Sequence, residues 1–150
     1  MMVTHNRVIL ELAAIPENVG VARLMAAVVA AQGEFTVAEV DEVKLAVSEA
    51  VTNAIVHGYR CDGSRMVRME AALEDGELVI VVIDHGRGIE DVAMAMQPAV
   101  TTDPERMGLG FSFMEAHMDH VEVTSQVGQG TRVVMRKRPA ARDVASLKGS

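Results

Sequence analysis

Glu49, Asn53 and His57 follow one another at four-residue steps, so on a helix they share a face, with Cβ atoms roughly 5–6 Å apart pairwise. A carboxylate beside an amide oxygen is a pairing that Mg²⁺-polyphosphate chemistry can use. The oxygens suit a hard divalent cation, and the carboxylate can take the proton of an attacking hydroxyl. A second string, Asp84-His85-Gly86-Arg87-Gly88-Ile89, follows the apolar run Leu78 to Ile83. There an acceptor-only carboxylate could receive a hydrogen bond from an exocyclic amine, while Gly86 and Gly88 let backbone approach a flat ligand. The third string is Arg106-Met107-Gly108-Leu109-Gly110-Phe111. It opens a short helix whose free N–H groups favour an anion, and Arg106 adds a planar, permanently charged fork for phosphate oxygens. Gly128-Gln129-Gly130-Thr131 is the fourth. Any one of these strings is commonplace as a turn or a solvated helix face; their succession along one chain is what carries information.

The elements that must position these groups are legible from periodicity and turn residues. Residues 7–13 alternate as a strand, and Pro16 suits the first turn of a helix that runs to about Gln32. Thr36 and Glu39 form a capping box. Val40, Val43, Val47, Ala50 and Ala54 then make one apolar stripe, and Gly58 sits where a helix stops, so a long helix is expected over 37–57. Asp75-Gly76 between two apolar runs, 66–73 and 78–83, signals a type I′ hairpin. The second of those runs lacks alternation, which predicts a central strand covered on both faces. Residues 86–108 show no strong period, as a lid or binding loop would. A short helix over 111–118 and a last hairpin, 121–125 with 131–136, complete a β-α-α-β-β-loop-α-β-β order. The expected class is α+β: a mixed, mostly antiparallel sheet with helices on one face. One domain is expected over 1–138, with 139–150 a disordered tail.

Composition narrows the function. The 150 residues are 49% hydrophobic and 23% charged, enough apolar material for one core. A net charge of −7 and only Tyr59, Phe35, Phe111 and Phe113 as aromatics argue against direct nucleic-acid binding. The longest apolar run, Leu24 to Ala31, falls far short of the ~20 residues that span a bilayer. No membrane contact and a cytoplasmic location are expected. A lone Cys61 builds neither a disulfide nor a cysteine metal cage, and the eleven Met read as adaptable core filler. Arg132, Arg136, Lys137 and Arg138 read as a solvated strand edge and tail.

The chain resembles the Bergerat-type (GHKL) ATPase and kinase superfamily, which includes the gyrase B subunit, histidine kinases and the MutL repair protein. The strings that carry the resemblance are Ser48-Glu49-Ala50-Val51-Thr52-Asn53-Ala54-Ile55-Val56-His57-Gly58-Tyr59, the Asp84–Ile89 segment, Gly108-Leu109-Gly110-Phe111-Ser112-Phe113-Met114-Glu115 and Met118-Asp119-His120-Val121-Glu122-Val123. It extends over roughly 7–138. Within the superfamily the chain is most similar to serine kinases that act as anti-sigma factors, above all those of the sporulation sigma F type.

The resemblance implies ATP or ADP with Mg²⁺ as cofactors. It implies Glu49 as general base, Asn53 as Mg²⁺ ligand, Asp84 as adenine reader and Arg106 as γ-phosphate contact. His57, Gly86, Gly88, Ile89, Thr101, Thr102, Gly108, Leu109, Gly110, Phe111 and Thr131 would complete the nucleotide site. Arg87 departs from the small or apolar residue that relatives often carry there. The implied partners are a sigma factor, an anti-anti-sigma factor whose serine is phosphorylated, and a second copy in a homodimer, with Arg23 on the polar side of the first helix as the contact. The alternatives are a general-stress-type anti-sigma kinase and a nucleotide-binding interaction module without kinase activity.

Overall fold

The structure is a computed structural model that describes residues 4–97 and 110–140. The first strand, β1 (Thr4–Ala13), begins earlier than expected because it pairs with the whole of its neighbour, Thr4 standing opposite Glu74. The first helix, α1 (Asn18–Ala31), starts two residues after Pro16. Its first backbone donors, Asn18 and Val19, bond to the Ile15 and Pro16 carbonyls, and the Asn18 amide ties back to the Ala13 carbonyl at 2.9 Å. The capping box forms as read. Glu39 N–H donates to Thr36 Oγ1 at 3.1 Å, Thr36 N–H donates to Glu39 Oε1 at 2.8 Å, and α2 (Val37–Thr52) follows.

The long second helix keeps its expected length but not its winding. Its last turn, Asn53–Gly58, is π-helical, and Tyr59 N–H reaches back five residues to the Ala54 carbonyl at 3.0 Å. Turns of this kind are rare and gather at functional sites.

The expected hairpin joins β2 (Met66–Glu74) to β3 (Glu77–Asp84), with Asp75 at φ 52° and Gly76 at φ 81°, as a type I′ turn requires. The chain continues through α3 (Val92–Ala95), α4 (Phe111–His117), β4 (His120–Gln126) and β5 (Gly130–Lys137). Among the described residues five strands lie in the order β1-β2-β3-β5-β4, and every pairing between them is antiparallel. The core lies on one face of this sheet, where Ala26 and Val29 of α1, Val43, Val47 and Val51 of α2 and Phe111 and Met114 of α4 meet Met69, Ile80, Val82 and Met135.

Strand β3 is central, as its unbroken apolar run predicts, but its two faces are covered differently. Its other face carries Val79 and Val81, which with Val134 of β5 form a small separate cluster. By strand alternation the same face bears Arg7, Arg68, Glu70, Glu77 and Arg136. These side chains pair across the strands (Arg7–Glu70 2.8 Å, Arg136–Glu77 3.1 Å), so neighbouring long side chains shield the valines.

Two expectations at the C-terminal end need correction. Strand β5 is interior, not an edge, and Lys137 is buried rather than solvated. Alternation turns it to the helical face, where its Nζ donates to Glu42 Oε2 at 3.1 Å and to the His117 carbonyl at 2.8 Å. The tail is also anchored further than expected, since Pro139 is buried and Ala140 N–H donates to Glu39 Oε2 at 3.0 Å. Residues 141–150 lie outside the described residues.

Candidate functional site

A cavity of about 1040 Å³ opens where the π-helical end of α2, the end of β3, the start of β5, α3 and α4 come together. Asn53, His57, Asp84, Gly88, Ile89, Phe111 and Thr131 line it, so residues far apart in sequence and singled out for their chemistry share one space. Of the other residues expected at the nucleotide site, Glu49, Gly86 and Gly110 are described but do not line the cavity, and Thr101, Thr102, Arg106, Gly108 and Leu109 lie outside the described residues.

Asp84 forms one end of the cavity and is only 6% exposed. Burial pushes its carboxyl above the usual aspartate range. Hydrogen bonds from the Gly86 and Thr131 N–H groups, and the nearby His85 and Arg65, act in the opposite direction. The Gly86 N–H meets Oδ1 at 2.9 Å and fixes the aim of the carboxylate. Gly86 must be glycine for a packing reason, since a Cβ there would run into the Gly58 carbonyl. That carbonyl, at a helix end where carbonyls lose their intrahelical partners, accepts instead from Arg87 N–H at 3.1 Å.

His85 is gripped on both sides of its backbone. Its N–H donates to Tyr59 Oη at 2.6 Å, and its carbonyl accepts from Arg65 Nη2 at 2.9 Å. The Arg65 guanidinium lies 4.8 Å over the Tyr59 ring, a cation–π contact that joins the two holders. Sequence reading gave neither residue a role. Tyr59 had a weak signal, being next to the helix-ending Gly58, whereas Arg65 had none. The far end of the same loop is tied to the last hairpin: Ile89 N–H donates to Ser125 Oγ at 2.8 Å and Gly128 N–H to the Arg87 carbonyl at 2.9 Å. Gly88 backs onto the Gln126 carbonyl. Arg87 itself is exposed on the rim of the cavity.

Asn53 is buried among the lining residues one helical turn beyond Glu49. Glu49 is half-buried and lies against Gly110, which precedes α4 in the left-handed region at φ 61°. Phe111, 1% exposed, anchors that junction in the core. Among the described residues no group of three or more His, Cys, Asp or Glu could hold a metal ion. Mg²⁺ on a polyphosphate needs no such cage, because one or two protein oxygens suffice beside phosphate oxygens and water. The Asn53 amide in the cavity wall is a hard-oxygen donor of that kind, so the residues present fit the ion.

Arg23 is exposed on α1, as expected, but its surroundings are not polar. Val21, Leu24 (66% exposed) and Val28 recur at three- and four-residue steps beside it, an apolar stripe carrying one guanidinium. No helix among the described residues is long and apolar enough to cross a membrane.

Residues 12–137 match the histidine kinase-like ATPase domain family. The chain is 45% identical over 135 residues to the anti-sigma F factor of Clostridium perfringens (strain SM101), covering 89% of this chain and 96% of that one. It is 46% identical over 145 residues to the anti-sigma F factor of Pasteuria penetrans, covering 94% and 97%. Among solved structures, the RsbU and RsbW domains of Rv1364c from Mycobacterium tuberculosis share its fold with a TM-score of 0.64 at 21% identity, over 89% of this chain and 32% of that one. The histidine kinase domain of the Erythrobacter litoralis EL346 blue-light activated kinase does so at 0.55 and 20% identity, over 88% and 64%. The sheet, the π-wound helix end and the cavity they enclose are thus those of a chain that belongs to the histidine kinase-like ATPase domain family and, within it, to the anti-sigma F factors.

Proposed function

We propose that this protein is an anti-sigma factor of the sigma F type and an ATP-dependent protein kinase that phosphorylates a serine of its anti-anti-sigma antagonist. The observation that carries the reading is the meeting of Asp84, Asn53 and Thr131 in one cavity, with Glu49 one helical turn from Asn53 on the same helix. Names borne by relatives at 45–46% identity over most of the chain support the sigma-factor assignment.

When bound, Mg²⁺-ATP supplies the γ-phosphoryl group. With the nucleotide bound, Asp84 would receive the exocyclic amine of adenine, Asn53 would offer its amide oxygen to the metal, and Glu49 would take the proton of the serine hydroxyl. Arg106, outside the described residues, would contact the γ-phosphate. The exposed face of α1, with Arg23 set among Val21, Leu24 and Val28, is the partner-binding surface, and the working species is a cytoplasmic homodimer. The nucleotide sets partner choice: ATP favours the sigma factor and ADP the dephosphorylated antagonist.

The test is co-purification from native cells, with mass-spectrometric identification of a sigma factor and a small phosphoprotein. Transfer of labelled γ-phosphate to a serine of that phosphoprotein is then measured in the purified system. Pull-downs with ATP, ADP and no nucleotide complete it. Sigma-factor capture that is the same in all three rules out the switch, and absence of label on the phosphoprotein rules out the kinase.

A further inference from the structure

Asp84, Thr131 and Ser125 form a row across three adjacent strands, Asp84 standing opposite Thr131 and Ser125 opposite Thr131 in register. Direct cross-strand partners have Cβ atoms about 4.5–5.5 Å apart, so the three side chains stand side by side. Asp84 and Thr131 line the cavity. Resting on the nucleotide reading of that cavity, we propose that Ser125 is a positioning residue for nucleobase selection, because it fixes the Thr131 hydroxyl as a hydrogen-bond acceptor toward the bound base.

The argument is a count of protons. Ser125 Oγ accepts from Ile89 N–H at 2.8 Å, lies 3.0 Å from the Gly130 carbonyl oxygen and 2.8 Å from Thr131 Oγ1. A carbonyl oxygen only accepts, and a serine hydroxyl has one proton and two lone pairs. If Ser125 donates to Gly130, its second lone pair receives the Thr131 proton, and all three contacts are hydrogen bonds. With the reverse assignment, Ser125 donates to Thr131 and two oxygens face each other at 3.0 Å with no proton between them. The first arrangement is favoured, and it leaves Thr131 only lone pairs to offer the cavity.

Asp84, as a carboxylate, also only accepts. That end of the cavity therefore presents acceptors from both β3 and β5. For a purine whose 6-position faces this pair, an exocyclic amine brings two N–H donors to two acceptors. A 6-oxo group brings lone pairs to lone pairs, a mismatch that a freely rotating Thr131 hydroxyl would relieve by donating.

The experiment compares ATP with ITP, its 6-oxo counterpart, by calorimetry on the full chain. Wild type is expected to prefer ATP. Ser125→Ala is expected to narrow the ITP-to-ATP ratio of Kd by ~5- to 10-fold, about the worth of one net hydrogen bond, chiefly through better ITP binding. Ser125→Thr and Thr131→Ser, which keep both hydroxyls, are expected to hold the wild-type ratio. In a Thr131→Val background, Ser125→Ala is expected to leave the ratio unchanged, because its effect passes through the Thr131 hydroxyl. Equal weakening of ATP and ITP in Ser125→Ala would overturn the proposal and make Ser125 a strut of the hairpin. So would a narrowing that persists without the Thr131 hydroxyl. Wild-type protein that binds neither nucleotide would overturn the nucleotide reading, and this proposal with it.

Discussion

The Glu49 carboxylate lies directly beneath Gly110: a Cβ on that glycine would stand 2.5 Å from Glu49 Oε2. The proposed base and the residue that opens α4 are therefore mutually fitted. Gly110 is also at φ 61°, a conformation other residues adopt at a cost of about 1 kcal/mol. Gly110→Ala is expected to displace the carboxylate, reducing phosphoryl transfer at least ~10-fold, a change of about 1.4 kcal/mol in the barrier. ADP affinity, measured by calorimetry, should change far less. Loss of both in proportion would mean that the glycine serves the fold and not the base.

Glu49→Gln keeps size and polarity while removing the base. Transfer to the serine substrate should fall by ~10²-fold or more with nucleotide affinity retained. A variant that phosphorylates at the wild-type rate would remove Glu49 from the mechanism.

Asp84 links pH to both stability and binding. Burial raises its carboxyl above the ordinary aspartate range, so over that interval the folded chain holds a proton that the unfolded chain has lost. The stability this group contributes is therefore greatest at low pH and declines as pH climbs from the ordinary value through the raised one. Adenine affinity should move the opposite way, since protonation puts an O–H donor where the carboxylate offers an acceptor oxygen. Denaturant melts and ATP titrations across the acid range check this, and Asp84→Asn should flatten both profiles.

Tyr59→Phe removes the acceptor of the His85 N–H while keeping the ring under Arg65. His85 is exposed, so water can replace the hydroxyl, and stability should drop by only about 1 kcal/mol. The loop that follows Asp84 would be held less firmly, and ATP affinity should weaken more than the melting temperature suggests. An unchanged Kd would show that Arg65 and the Gly58–Arg87 hydrogen bond hold the loop without Tyr59.

Lys137→Met retains the buried stem and deletes the ammonium that joins Glu42 to the His117 carbonyl. Stability is expected to fall by about 1.5–3 kcal/mol, the range for a hydrogen bond to a charged group. Because Glu42 is partly exposed, the wild-type contribution should shrink in high salt. Urea melts at two ionic strengths decide it.

The sequence disclosed the features that rest on local signals. The Thr36–Glu39 box, the Asp75-Gly76 turn and the Val43–Val47–Ala50 stripe each depend on neighbours within a few residues, and each appears where read. What stayed hidden depends on partners distant in the chain. Arg65 matters through a carbonyl twenty residues away, and Ser125 through an N–H thirty-six residues away. Lys137 looked like one more surface cation because its burial follows from which face of an interior strand it occupies, and that is settled only once β5 pairs with both β3 and β4. The π-helical turn was invisible for a related reason: the stripe continues smoothly to Ala54, and the change in winding shows only in which carbonyl Tyr59 reaches.

That turn has a consequence for how the gene can change. A π-helical turn holds one residue more than the α-helical turn it replaces, so a single-codon deletion within 53–58 would leave a more regular helix. Because the π turn absorbs that residue, the segments on either side would stay near their places, but the spacing among Asn53, Ala54, His57 and Gly58, which all line the cavity, would shrink by one. At this one place regular winding and a working site are opposed, so such a deletion would cost function with little penalty to the helix, whereas length changes at the Asp62–Ser64 loop would be absorbed.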